Sequence, residues 1–258
     1  MKKTKIIPAI IMTVLLVIGC TNSTSPQDSL EISDFSELNL EEPGDQSDQD
    51  IQESVNPPEL IINEIRTIFS NPRVEFIELK ALSAGNLVAL RLFATYESDE
   101  PLFVFPPVEV KKGEYIVIHT RSIEPGIVDE TGTNLAASGG NEALPTARDF
   151  WIPGSLTLHD TNVIYLIDQG GRIIDGVVLV SSANTWKDSI TTAAKELVKQ
   201  GMWSGFQPED AFNTDGNTAT RTINRDETKQ NTHSPADWYI TVTGGATPGK
   251  ANNTGRYK

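Results

Sequence analysis

The chain has 258 residues, 38% of them hydrophobic, with a formal charge of -14 and one cysteine. A single cysteine excludes an intrachain disulfide and a metal-thiolate cluster, and the acidic balance repels a phosphate backbone, so nucleic acid is not an expected partner. Once an N-terminal signal and a polar tail are set aside, about 200 residues remain, enough for one substantial core.

Lys2, Lys3 and Lys5 precede an apolar run, residues 6–18, broken only by Pro8 and Thr13. The run is short for a membrane-spanning helix and reads as the core of an export signal. It ends in Val17-Ile18-Gly19-Cys20. These four residues resemble a bacterial lipobox, which implies cleavage before Cys20 and covalent lipid on its sulfur. An ordinary signal with a chance cysteine is the competing reading. Each buried methylene adds about 0.8 kcal/mol, so two or three acyl chains hold a protein on a bilayer almost permanently. Thr21 stands where an aspartate-based retention rule would place Asp, which favours the outer membrane or cell surface in an envelope that has one.

Residues 21–57 carry ten acidic side chains and no basic one. Isolated hydrophobes among like charges cannot offset the entropy of ordering, so this stretch is expected to be a disordered tether with an average span of roughly 35 Å. A short helix over residues 30–40, formed on a partner, is the alternative. The remaining chain holds 25 acidic against 18 basic residues, or -7.

Beyond Pro57-Pro58 short β-rich runs begin. Strands are expected over residues 60–65, 74–79, 87–94, 102–105, 115–119, 162–168, 172–180 and 238–242, with turns at Ser70-Asn71-Pro72 and Gln169-Gly170-Gly171. In 87–94, Val88, Leu90, Leu92 and Ala94 should share one face. Residues 120–149 read as a loop. Residues 187–200 place Ile190, Ala193, Ala194, Leu197 and Val198 on one side of a helix, with Gly201 as the stop; Trp186 and Trp203 bracket it as core aromatics. Many short strands and one helix indicate an all-β antiparallel sandwich or barrel.

The order LIINEI, VEFIELK, NLVALRL, FPPVEVKKGEYIVI, NVIYLIDQGGRIIDGV and DWYITVTGGATPGKAN resembles the lamin tail domain. Most specific are Phe76-Ile77-Glu78-Leu79, Leu166-Ile167-Asp168 through Gly171 to Asp175, and Thr247-Pro248-Gly249 to Asn252. The resemblance implies an immunoglobulin-like antiparallel β-sandwich with one inserted helix, about residues 185–203. It also implies secreted or membrane-attached proteins, often beside hydrolase domains that this chain does not contain. It departs at Ala89-Leu90, where many members have Gly-Trp. The implied organisation is a signal over 1–19, lipidated cysteine and tether over 20–57, the sandwich over 58–253 and a short tail over 254–258.

Glu78 is expected to accept hydrogen bonds from a neighbouring loop or to pair with an Arg. His119, His159 and His233 are far apart and form no metal motif. His233 and Asp237 with a serine could assemble a triad, but no nucleophile elbow accompanies them. Asp210, Asn213, Asp215, Gly216 and Asn217 are similar to a calcium loop in oxygen spacing; Ala211 and Thr222 stand where two key ligands belong, so a polar surface loop is the better reading. The sequence therefore points to a non-catalytic lipid-anchored envelope protein, without cofactor or metal beyond the lipid on Cys20, that binds an envelope or extracellular protein or glycan. The alternatives are a structural protein docking through the helix, and a hydrolase using residues 210–217 with His159.

Overall fold

The computed structural model describes residues 56–258. The signal, Cys20 and nearly all of the tether lie outside the described residues. The strands are, in chain order, β1 (Leu60–Arg66), β2 (Phe76–Ala81), β3 (Gly85–Asn86), β4 (Arg91–Ala94), β5 (Phe103–Val104), β6 (Glu109–Val110), β7 (Tyr115–His119), β8 (Arg148–Trp151), β9 (Asn162–Ile167) and β10 (Ile173–Val180). Helix α1 (Asp188–Lys199) follows, then β11 (Phe212–Asn213), β12 (Ile223–Arg225) and β13 (Trp238–Ile240). One sheet runs β13-β12-β1-β2-β7-β8 and the other β11-β10-β9-β4-β5, with β3-β6 as a small ribbon. The fold is all-β with one helix, and residues from both sheets share one apolar core that includes Ile62, Ile77, Leu79, Leu92, Ile118, Leu166 and Val177.

Two edge pairings are parallel, contrary to the antiparallel expectation: β7 with β8, and β10 with β11. Parallel neighbours need a long crossover, and both are supplied. Residues 120–147 return the chain to β8. Helix α1 lies in the crossover from β10 to β11, so it is part of the sheet's connectivity. Its apolar side, Ile190, Ala193, Ala194 and Leu197, is buried. It can sit close because β10 has Gly176 at the contact: a Cβ there would fall 2.6 Å from Leu197 Cδ2. Gly201 at φ +74° ends the helix, its N–H bonded to the Val198 carbonyl. Trp203 is buried and Trp186 packs against the core, as expected.

The outer edge of the second sheet is guarded. Strand β5 is two residues long, between Pro101 and Pro106-Pro107, and proline offers no N–H to a further strand.

Three further differences from the sequence reading have physical causes. Residues 87–90 form a turn, with Leu90 N bonded to the Leu87 carbonyl at 3.1 Å, and Ala89 takes φ +55°. The strand begins only at Arg91, and the core receives Leu87, Leu90 and Leu92 while Val88 is half-buried. Strand β8 is not among the expected strands, and its first two residues, Arg148 and Asp149, fall at the end of the expected loop. Strand β12 reads as polar because Asn224 and Arg225 are buried through hydrogen bonds. The tether also ends slightly early: Asn86 N bonds the Asn56 carbonyl at 3.1 Å, so residue 56 is already docked.

Ala89 sits in the left-handed region, which costs an L-residue with a Cβ roughly 1–2 kcal/mol, at the place where many members of the resembled family have glycine. Ala89→Gly should raise the unfolding free energy by about 1 kcal/mol in urea titration; an unchanged or lower midpoint would contradict the strain.

Candidate functional site

The alternation of β1 places Leu60 and Ile62 inward, but Asn63 is an extra residue: Ile62 pairs with Leu79 and Glu64 with Glu78. This bulge turns Glu64 to the outer face, directly opposite Glu78, with both fully buried. Two carboxylates on adjacent strands repel, and they are stabilised there by donors from the C-terminal segment, from Thr222 and from the bulge residue Asn63. Thr247 N donates to Glu64 at 3.0 Å and Thr222 Oγ1 at 2.5 Å, while Gly249 N donates to Glu78 at 2.5 Å and Asn63 Nδ2 at 2.8 Å. Asn252 completes the latch, its amide bonding the Asn63 carbonyl at 3.1 Å and the Arg225 carbonyl at 2.8 Å. Gly249, at φ +75°, is the only residue type that fits, because a Cβ would lie 2.6 Å from Thr146 Oγ1. The Glu78 expectation is realised as loop acceptance. The part played by Glu64 went unread, since its placement depends on the bulge.

The histidines divide. His119 is buried, stacked on Trp151 at 3.8 Å, with Nε2 2.8 Å from Asp149 Oδ1. Asp149 Oδ2 in turn accepts Leu144 N at 2.6 Å, so the pair pins the 120–147 connection to β7. Asp237 accepts from Thr232 and Ser234, capping a short 3-10 turn beside His233. His159 Nε2 lies 2.9 Å from Glu97 Oε1, with its ring 4.1 Å from that of Tyr96.

The five residues of the calcium-like stretch face different partners. Asp210 accepts Gln207 N at 3.1 Å, Asn213 Oδ1 accepts Asp215 N at 2.8 Å, and Asp215 accepts Ser182 N at 2.7 Å and Ser181 Oγ at 3.0 Å. Asn217 Nδ2 donates to Thr67 Oγ1 at 2.7 Å, and the Gly216 carbonyl accepts Arg221 at 2.8 Å. Among the described residues no cluster of three or more His, Cys, Asp or Glu could hold a metal ion.

What remains open is a groove. The chain enters the domain at residue 56, next to the 168–171 turn. Strand β4, Arg91–Ala94, leads away from that corner over about 10 Å at strand rise and runs into residues 95–101. Cavities of about 520 and 600 Å3 flank that loop and share Tyr96, Glu97 and Ser98. The segment around His159 forms the far wall of the first, and Ser189, Thr192 and Glu196 of α1 that of the second. Lys187, just before α1, places its ammonium 3.6 Å from the Tyr96 ring centre and 3.0 Å from the Tyr96 carbonyl oxygen. Sequence reasoning named His159 and started the helix at residue 187 but had no signal that β4 and β9 would bring Tyr96 between them. Among the described residues no helix is long and apolar enough to cross a membrane.

Burial, reinforced by the charge of Glu64, pushes the Glu78 carboxyl well above its ordinary 4.5, and burial raises Glu64 in the same direction. A carboxyl raised in the folded chain carries no penalty below the unfolded value and weakens the fold as pH climbs through the raised one. The melting temperature should therefore fall as pH climbs above the ordinary carboxyl value of 4.5, and Glu78→Gln should flatten that slope. An identical slope in the variant would show that the latch does not carry this charge. Acid loss below about pH 4 belongs to other groups, among them Asp226: burial works against ionisation there, but Thr228 and Arg256 hold its carboxyl down at about 2.

The family described as "protein second domain" matches residues 58–240. A protein of Treponema pallidum (strain Nichols), described as uncharacterized, is 30% identical over 166 residues, which covers 58% of this chain and 41% of that protein. The chain thus spans less than half the length of the relative it matches. It belongs to the family that covers 58–240.

Proposed function

We propose that this member of the family is a lipid-anchored envelope protein, held by Cys20, whose β domain is a non-catalytic, immunoglobulin-like module of the lamin-tail kind that binds a protein or glycan. The observation that carries the reading is the position of the groove: its two cavities meet at Tyr96, Glu97 and Ser98, at the opposite end of β4 from residue 56, where the chain arrives from the acidic stretch. A module tethered at one end presents its other end to partners.

The buried polar groups support the same reading. Glu64, Glu78, His119 and Asp149 bond backbone and side chains of their own chain, which is what structural polar groups do when out of water. The segments that carry the lamin-tail resemblance supply buried polar groups of the same kind: Glu78 from the first accepts Gly249 N of the third, and Asp175 from the second accepts Ile62 N at 2.7 Å.

Protease treatment of intact cells, with native protein and Cys20→Ala side by side, tests the proposal. Cleavage should fall within residues 21–55 and release a fragment beginning before Leu60, and the variant should leave the membrane fraction. Unchanged membrane attachment of Cys20→Ala would overturn the anchor.

A further inference from the structure

The walls of the groove have a consistent charge. Glu97 lines both cavities, Glu100 the first, and Asp99 and Glu196 the second, and no lysine or arginine lines either. Glu97 is paired with Lys187 at 3.4 Å and His159 at 2.9 Å, and Glu196 with Lys199 at 3.2 Å. Asp99 and Glu100 are exposed and have no ion-pair partner among the described residues.

The domain also contains an example of what such walls hold. The Lys187 ammonium is received by an aromatic face, a carbonyl oxygen and a carboxylate, all from Tyr96 and Glu97. On the α1 side, Tyr165 lines the second cavity and is kept rigid by stacking on Phe93 at 4.9 Å between ring centres. Glu196 and Asp99 line the same cavity; burial, then Glu196 and more weakly Asp99, push the Tyr165 hydroxyl up against the opposing charge of Arg91.

We propose that the groove receives an extended basic segment of a protein partner, with lysine ammonium groups seated against Asp99, Glu100 and Glu196 beside the place that Lys187 already fills. Shape and charge favour this occupant: two cavities joined at one ridge accommodate a chain lying across the ridge, and the unpaired carboxylates of Glu100 in the first cavity and Asp99 in the second attract ammonium groups. The inference rests on the binding-module reading of the groove and is independent of the lipid anchor, so the two fail separately.

The test uses the full chain in detergent and fluorescence anisotropy with a labelled hexapeptide alternating Lys and Ser, its Glu-for-Lys counterpart, and spermidine as competitor. The lysine peptide should bind and the glutamate peptide should not. The double variant Asp99→Asn with Glu100→Gln, exposed on a loop and expected to melt as the native protein does, should weaken binding about tenfold. A control double variant that removes two exposed acids elsewhere, Glu59→Gln with Glu209→Gln, should stay within about twofold. Equal weakening in the two double variants would assign binding to bulk acidity and overturn the proposal. Absence of peptide binding would overturn it too, as would spermidine displacing the peptide at lower concentration than the unlabelled peptide does, which would make the ligand a free polyamine.

Discussion

Asp175 occupies a core-facing position of β10, in the same alternation as Val177 and Leu179, yet it is a carboxylate with almost no exposure. The chain places it there because the sheet opposite has groups to satisfy. Strand β12 pairs with β1 only at Glu64 and Ile65, which leaves the Ile62 N–H and carbonyl without a backbone partner on that side. Asp175 Oδ2 accepts the Ile62 N–H at 2.7 Å, Arg225 Nε donates to the Ile62 carbonyl at 2.7 Å, and the two side chains meet at 2.6 Å. The guanidinium also lies 4.5 Å over the Trp238 ring. One closed set of bonds therefore joins β10 of one sheet to β1 and β12 of the other. Apolar packing would hold the sheets at any of several offsets; this network specifies one.

The two bulges belong to the same design. The one in β1 at Asn63 and the one in β10 between Ile173 and Asp175 lie beside the crossing point. Downstream of Asn63 the bulge turns Glu64 outward, where it faces Glu78 and the C-terminal segment folds over both. The outer face of the first sheet is thus buried under polar bonds, while the inner face is buried under apolar contacts. Concavities of about 290 and 270 Å3 remain on the outer side; the two larger ones lie at the far end of β4 and the start of α1 and form the proposed binding surface.

β7, β9 and β10 were legible as short, nearly continuous β-branched and aliphatic runs, buried on both faces, and α1 by the 3.6-residue spacing of its buried side. The pattern failed where burial is polar, at Arg148 and Asp149 of β8 and at Asn224 and Arg225 of β12. In β8 all four residues are buried, under the 120–147 connection as well as against the sheet, so no alternation marks it. In β12, Asn224 and Arg225 are buried by bonding rather than by hydrophobicity. Residues 87–90 alternate acceptably on paper, but the left-handed Ala89 puts Leu87 and Leu90 on the same side. Glu78 could be read as a buried acceptor from its place in a β-rich run; its partner Glu64 could not, since a bulge leaves little trace in composition. The groove was the least legible part, because Tyr96, His159 and Lys187 come from three segments that only the β4-β9 pairing unites.

The account depends most on Asp175, and the measurement that tests it most directly is urea unfolding of Asp175→Ala, combined with amide hydrogen exchange at Ile62. Removing one partner of a buried pair leaves the Arg225 charge and the Ile62 N–H uncompensated, so the variant should lose about 3–5 kcal/mol and the Ile62 amide should exchange far faster than its neighbours in β1. A loss below about 1 kcal/mol, with Ile62 still protected, would mean that apolar packing alone sets the sheets.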